Sequence, residues 1–216
     1  MLKTRDVPQA LKEFNALFYA LDKHHLSTVF DDLLTMIICA MGRGTAESLY
    51  FETIKRYDRK ELDIFCRLFA ELVSIYRQGT KENGICDPLG DYYECLASNY
   101  KKSNFGQFFT PFPICKLIAG LTNTEKDFGL KINEPCSGSG RMVLAMNQIA
   151  KGNYYICEDL DPICCKMTAI NLCFHEIKAE IHCRDTLKQT EPRFSMATNY
   201  EFWKNNINTI FYYPSA

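Results

Sequence analysis

Three short stretches carry residues whose types and spacing could hold a ligand. The first is Glu134-Pro135-Cys136-Ser137-Gly138-Ser139-Gly140. Glycines between a strand and a helix let the backbone approach a ligand closely, and the first helical turn leaves N–H groups free. A triphosphate-hydrolysing loop would place Gly-Lys-Ser/Thr here, but Arg141 stands where the lysine belongs. The G-x-G-x-x-G dinucleotide spacing is also absent. A plain strand-to-helix turn would use the same glycines, so this stretch alone names no ligand. The second stretch is Cys157-Glu158-Asp159-Leu160-Asp161-Pro162, roughly 20 residues on, where an acid past the second strand can accept hydrogen bonds from both ribose hydroxyls. Glu158, Asp159 and Asp161 compete for that role against a solvated acidic turn; counting back from Pro162, Asp159 is best placed. The third is Asp185, which could accept a hydrogen bond from an adenine amino group or simply cap a helix. Together the three describe a pocket for an adenosine with a charged tail.

The elements that must position these residues form an α/β pattern. Strand 130–133 leads into the glycine loop and helix 142–149. Strand 154–157, the acidic turn 159–162 and helix 164–174 follow, and strand 179–183 runs out through 185–187. Such alternation predicts a parallel sheet. Residues 1–100 read instead as helical. Leu11, Phe14, Leu17, Phe18 and Leu21 make one apolar stripe, with Pro8 in its first turn. Phe30, Leu33, Leu34, Ile37, Ile38 and Met41 make a second, with Ser27 or Thr28 as cap and Gly42 and Gly44 at its end. Helices are expected over 47–57 and 62–76, and a loop over 79–88. The expected division is a helical domain over 1–100 and an incomplete α/β domain over 101–216.

Composition sets the bounds. The 216 residues are 47% hydrophobic and 24% charged, a globular balance, and the net charge is −1. Any nucleic-acid contact must therefore come from a local patch or a partner. Eleven cysteines occur without a single C-x-x-C. That argues against zinc and for reduced, buried thiols in a cytoplasmic protein. No apolar run approaches 18 residues, and no signal peptide is expected.

The three stretches gain specificity from their order. Gly106-Gln107-Phe108-Phe109-Thr110-Pro111 resembles the segment that opens the methyltransferase domain of type I restriction–modification M subunits, gamma-class N6-adenine DNA methyltransferases. Glu134 to Gly140 resembles their cofactor loop, and Asp159-Leu160-Asp161-Pro162 their ribose motif. Asn171-Leu172 is similar to their asparagine-containing helix, and Asp87-Pro88-Leu89-Gly90-Asp91-Tyr92-Tyr93-Glu94 to the helix just before the domain. The similarity covers about residues 87–187; the first 80 residues match only in helical type.

The resemblance implies a partial Rossmann-like methyltransferase sheet behind an all-α segment, with S-adenosylmethionine as cofactor and DNA, reached through a complex, as partner. It implies that Gln107, Phe108 and Thr110 face the methionine end and that Glu134 faces the cofactor's positive charge. Pro135, Ser137, Gly138 and Gly140 would line the methionine moiety. Asp159 would hold the ribose and Asp185 the adenine amine, with Leu160 and Leu187 on the ring. Phe109 serves equally well as core.

One part of the family pattern is missing. Relatives carry Asn-Pro-Pro-Phe/Tyr or Asp-Pro-Pro-Tyr after a fourth strand, where it receives the flipped adenine. Here the comparable position is the tail: 210–212 as the fourth strand, with Tyr213 and Pro214 where that motif would begin, and only the proline retained. A sheet ending there leaves an edge open to a protein partner or a second copy. The expectation is an enzyme that needs a partner or further chain. The alternatives are a cofactor-binding module without catalysis and a remnant that binds no cofactor.

Overall fold

A computed structural model describes residues 7–99, 108–122 and 127–215. A 3-10 turn, Gln9–Leu11, leads into α1 (Lys12–Tyr19), and the whole first stripe, Leu11 to Leu21, is buried. α2 (Leu26–Met41) buries Phe30, Leu33, Leu34, Ile37 and Ile38, and also Asp32 and Thr35, so neighbours cover most of its circumference. It starts at Leu26 without a side-chain cap. The expected Ser27 or Thr28 cap does not form; Ser27 Oγ lies 2.6 Å from His25 Nδ1 instead. Gly42 ends the helix as expected.

α3 (Glu47–Ile54) is followed by α4 (Arg59–Asn83). A reciprocal capping box starts α4: the Glu61 N–H donates to Asp58 and the Asp58 N–H donates to Glu61, both at 2.9 Å. The expected loop over 79–88 is shorter than read, because α4 continues through Gly79 to Asn83. Gly79 is there for room: a Cβ on it would fall 2.8 Å from Cys86 Sγ. Gly84, at φ +78°, ends the helix. Asp87 then accepts the Gly90 N–H at 2.8 Å and starts α5 (Pro88–Asn99), with Pro88 at the first helical position. α6 (Phe112–Thr122) follows.

The α/β part runs β1 (Lys131–Glu134), α7 (Arg141–Ile149), β2 (Tyr154–Asp159), α8 (Pro162–Phe174), β3 (Ala179–Cys183), β4 (Phe194–Thr198), α9 (Phe202–Asn205) and β5 (Ile210–Pro214). The strands lie in sequence order. β1, β2 and β3 are parallel, with Lys131 opposite Tyr154 and Tyr155 opposite Ala179. β4 pairs antiparallel with both β3 and β5, so the sheet is mixed where a parallel one was expected. The reason lies in the connection after β3. Parallel pairing needs a crossover of a dozen or more residues, usually a helix. Here the chain turns straight back, and the Arg193 N–H donates to the Cys183 carbonyl at 2.8 Å. Residues 210–212 therefore belong to a fifth strand at the far edge.

α8 is almost wholly buried; it packs on β2, β3 and β4, and α2 packs on it. One apolar core runs from Val7 through these helices to Ile210. The helical segment and the sheet thus share a single interior.

Candidate functional site

The parallel strands end together, and their C-terminal ends open into a cavity of about 620 Å³, a size usual for small-molecule sites. Glu134 comes from the end of β1, Asp159 from the end of β2 and Asp185 from the segment leaving β3. The loop between β1 and α7 forms the floor. Its Ser137 N–H donates to the Glu158 carbonyl at 2.9 Å, which ties it to β2. Gly138, at φ +56°, lies against the Phe109 ring so closely that a Cβ would sit 2.9 Å from it. Only glycine meets both the backbone and the spatial requirement there.

Of the three competing acids, Asp159 alone lines the cavity. Glu158 is buried and ion-paired with Arg184, while Asp161 caps α8 by accepting the Ile163 N–H at 2.8 Å. Asp159 also performs a local task. Its Oδ2 accepts the Gly138 N–H and its Oδ1 the Asp161 N–H, each at 2.9 Å. A carboxylate has about four acceptor positions, so two remain for a ligand. Asp185 lines the cavity and also caps locally, accepting the Lys188 N–H at 3.1 Å.

The electrostatics favour a cationic guest. Desolvation pushes the Glu134 carboxyl up, the Cys136 N–H pulls it down, and Asp159 pushes it up again. Desolvation likewise raises Asp159, against the pull of the Asp161 and Gly138 N–H groups. Among the described residues no basic side chain pairs with either carboxylate. Arg141 and Arg184 reach the cavity but are engaged by other acids. By contrast Asp185 lies below its ordinary value, held mainly by the Lys188 backbone N–H. A guest with hydroxyls for Asp159, an amine for Asp185 and a positive charge near Glu134 suits this set of acceptors.

Ten of the twelve expected site residues line this one cavity: Phe108, Thr110, Glu134, Pro135, Ser137, Gly138, Asp159, Leu160, Asp185 and Leu187. Gly140 does not. At φ +91° it caps α7 from behind and packs on Thr168. Gln107 lies outside the described residues. Phe108, Leu160 and Leu187 are strongly exposed, at 81%, 61% and 96%, and so supply apolar surface to a guest at the mouth. Tyr213 and Pro214 stand in β5, four strands from β1, and do not line the cavity.

Sequence reasoning missed Arg141, Met142, Cys115, Arg184 and Thr186, which line the cavity as well. Arg184 and Thr186 flank Asp185 in sequence, a signal that was available. Arg141 had none nearby, since its partners lie about 50 residues earlier, in and just before α5.

Residues 85–211 match the family described as N-6 DNA methylase. The chain is similar to the MjaVII methylase subunit of a type I restriction enzyme from Methanocaldococcus jannaschii, at 28% identity over 151 residues. That match covers 65% of this chain and 24% of the relative, so the chain spans about a quarter of the length of the curated relative. Among solved structures, the methyltransferase subunit of a type I restriction-modification system from Streptococcus thermophilus aligns over 88% of this chain and 57% of its own. Its TM-score is 0.40 at 18% identity, too loose to add to the topology described above.

Proposed function

The chain belongs to the N-6 DNA methylase family, and from that premise we propose that the cavity beyond β1, β2 and β3 holds S-adenosylmethionine for methyl transfer to adenine N6 in DNA. One observation carries this reading. Glu134, Asp159 and Asp185, from the ends of three successive strands, line the same cavity around a glycine-floored loop. When bound, the cofactor supplies an electrophilic methyl group on a positively charged sulfur.

The chain's own residues bind and orient. Asp159 accepts the ribose hydroxyls with its two remaining acceptor positions. Asp185 accepts from the adenine amine, and Leu160 and Leu187 cover the ring faces. Glu134 complements the positive charge, while Phe108, Thr110 and the backbone from Pro135 to Gly138 enclose the methionine end. Residues 101–216 form the proposed cofactor-binding unit, with 1–100 as its helical support.

The sequence contains no Asn/Asp-Pro-Pro-aromatic tetrapeptide. We therefore assign the groups that receive the flipped adenine to polypeptide outside these residues. The surface proposed for it is the outer edge of β1, which pairs with β2 alone among the described strands. Separately α6, which packs on α7, exposes Ile114, Leu117, Ile118 and Leu121, an apolar face at i, i+3, i+4, i+7 spacing. Among the described residues no helix is long and apolar enough to cross a membrane.

Calorimetric titration tests the reading. The wild-type chain should bind S-adenosylmethionine, and Asp159→Asn should weaken binding about tenfold or more, the loss of a charge-assisted acceptor. Saturating S-adenosylmethionine without measurable heat or protection of the wild-type chain against unfolding would end the proposal.

A further inference from the structure

Arg141 stands at the centre of a buried ion cluster. Its Nε donates to Asp87 at 2.7 Å, and its Nη2 donates to Asp91 at 2.7 Å and to Glu94 at 3.1 Å. Its guanidinium also lies 5.5 Å from the Phe109 ring centroid and 5.6 Å from that of Phe112. A lysine has neither the fork nor the flat face this requires. Asp87 has no exposed side-chain surface and accepts three further donors: Ser139 Oγ, the Gly90 N–H and Asn171 Nδ2. Asn171 in turn donates to the Ser139 carbonyl at 2.7 Å and accepts the Tyr76 hydroxyl. The floor of the cavity, at Ser139 and Arg141, is thereby locked to the helical segment.

Glu94 extends the same cluster to the opposite wall. One of its oxygens accepts Arg141, and the other accepts the Phe109 N–H at 2.9 Å. Residues 108–111 have no helix or strand of their own, so this bond ties an irregular stretch of backbone to a rigid element. The Phe109 ring completes the arrangement. It fills the space beside Gly138, 5.5 Å between centroids from Tyr93 of α5.

We propose that Glu94 is a positioning residue that latches the 108–110 wall to the Arg141 cluster, so that the helical segment sets affinity for the amino-acid end of the cofactor. The inference rests on the cofactor reading above and deepens it. Its geometry makes the effect one-sided. Glu94 reaches Phe108 and Thr110, at one end of the cavity, through the Phe109 N–H. Neither Asp159 nor Asp185 bonds to Glu94: the Gly138 and Asp161 N–H groups hold the first and the Lys188 N–H holds the second.

Two ligands separate the ends. S-adenosylmethionine carries the amino-acid chain; 5′-methylthioadenosine has the nucleoside and lacks that chain. In calorimetric titrations of the full chain, Glu94→Ala should weaken S-adenosylmethionine about tenfold while leaving 5′-methylthioadenosine within about twofold. Glu94→Gln keeps an oxygen for the Phe109 N–H but turns an amide NH2 toward Arg141, so it should lose less S-adenosylmethionine affinity than Glu94→Ala while leaving 5′-methylthioadenosine within about twofold. Equal losses for both ligands would make Glu94 merely structural and overturn the latch, as would no loss for either. A glutamine variant as weak as the alanine variant would also overturn it. Wild-type binding of 5′-methylthioadenosine and not S-adenosylmethionine would refute the assignment of the 108–110 wall. Binding of neither would overturn the cofactor reading and this inference with it.

Discussion

Replacing Arg141 by methionine tests how the floor of the cavity is held. Arg141 is 6% exposed and Asp87 has no exposed side-chain surface. Methionine keeps an apolar side chain and removes the guanidinium, with its hydrogen bonds and its contacts to the Phe109 and Phe112 rings. Asp87 would keep three donors, but its charge would lie buried without a counter-ion, beside Asp91 and Glu94. Removing one partner of a buried pair costs about 3–5 kcal/mol. For a chain of this size that corresponds to a fall of about 6–20 °C in Tm. The loss must also depend on pH. Burial already pushes Asp87 up, and Arg141 is the largest influence opposing it. Without Arg141 the folded-state carboxyls rise further, so the folded variant holds protons that its unfolded chain has released. The variant therefore recovers stability as pH falls toward the carboxylate range, and its deficit is largest above neutrality. Urea denaturation at pH 8 and pH 5.5 measures both quantities. A deficit under about 1 kcal/mol, as for surface pairs, or one equal at the two pH values, would refute the cluster as described.

Two further substitutions probe the same region. Gly138→Ala forces a side chain into φ +56° and 2.9 Å from the Phe109 ring; the backbone alone costs about 1–2 kcal/mol, read from the urea midpoint. S-adenosylmethionine affinity should fall with it, and an alanine variant with wild-type stability and binding would show that the close approach is not required. The second concerns Asp91, whose carboxyl is pushed up to about 6 from 3.8, first by desolvation and then by Asp87, with Arg141 opposing. Between those values the folded state binds a proton that the unfolded state has lost, so this group makes wild-type stability fall as pH rises from about 4 to about 6. Asp91→Asn removes that slope: the stability of the variant relative to wild type should climb across the window and level off above it, whereas a flat difference would contradict the raised value.

The site was legible in the sequence wherever its signal was local. The glycine loop, the acid ending β2 and Asp185 each sit a fixed step from a strand end. Capping competes with ligation for the same acids, and the sequence could not rank Glu158, Asp159 and Asp161 beyond a spacing argument. The structure separates them by what each already holds. Strand direction was not legible. Phe194-Ser195-Met196-Ala197-Thr198 reads as an unremarkable stretch, and its antiparallel setting follows from the short return after Cys183, a tertiary fact. The α5 cluster leaves a trace in the sequence: Asp87 just before the helix, and Asp91 and Glu94 within it, follow at four and three residues along a helix that also buries Leu89, Tyr92, Tyr93 and Leu96. Three acids beside such a face call for a cation, but nothing nearby in sequence says which one.

The acid pair at the strand ends is poor design for stability alone. Glu134 and Asp159 are each partly desolvated, each raises the other or is raised by a neighbouring acid, and no described base neutralises them. Elsewhere the fold answers a desolvated acid at once: Asp87 receives Arg141, Glu158 receives Arg184 and Asp32 receives Arg56. The exception falls at the one place where the parallel strands open onto a cavity. Asp159 is moreover held rigid by two backbone N–H groups, so its orientation is fixed before any guest arrives. A fixed, uncompensated pair of carboxylates gains most from a guest that brings hydroxyl donors and a positive charge together, and little from a neutral one. That asymmetry, more than the shape of the cavity, is why the reading commits to a cationic nucleoside.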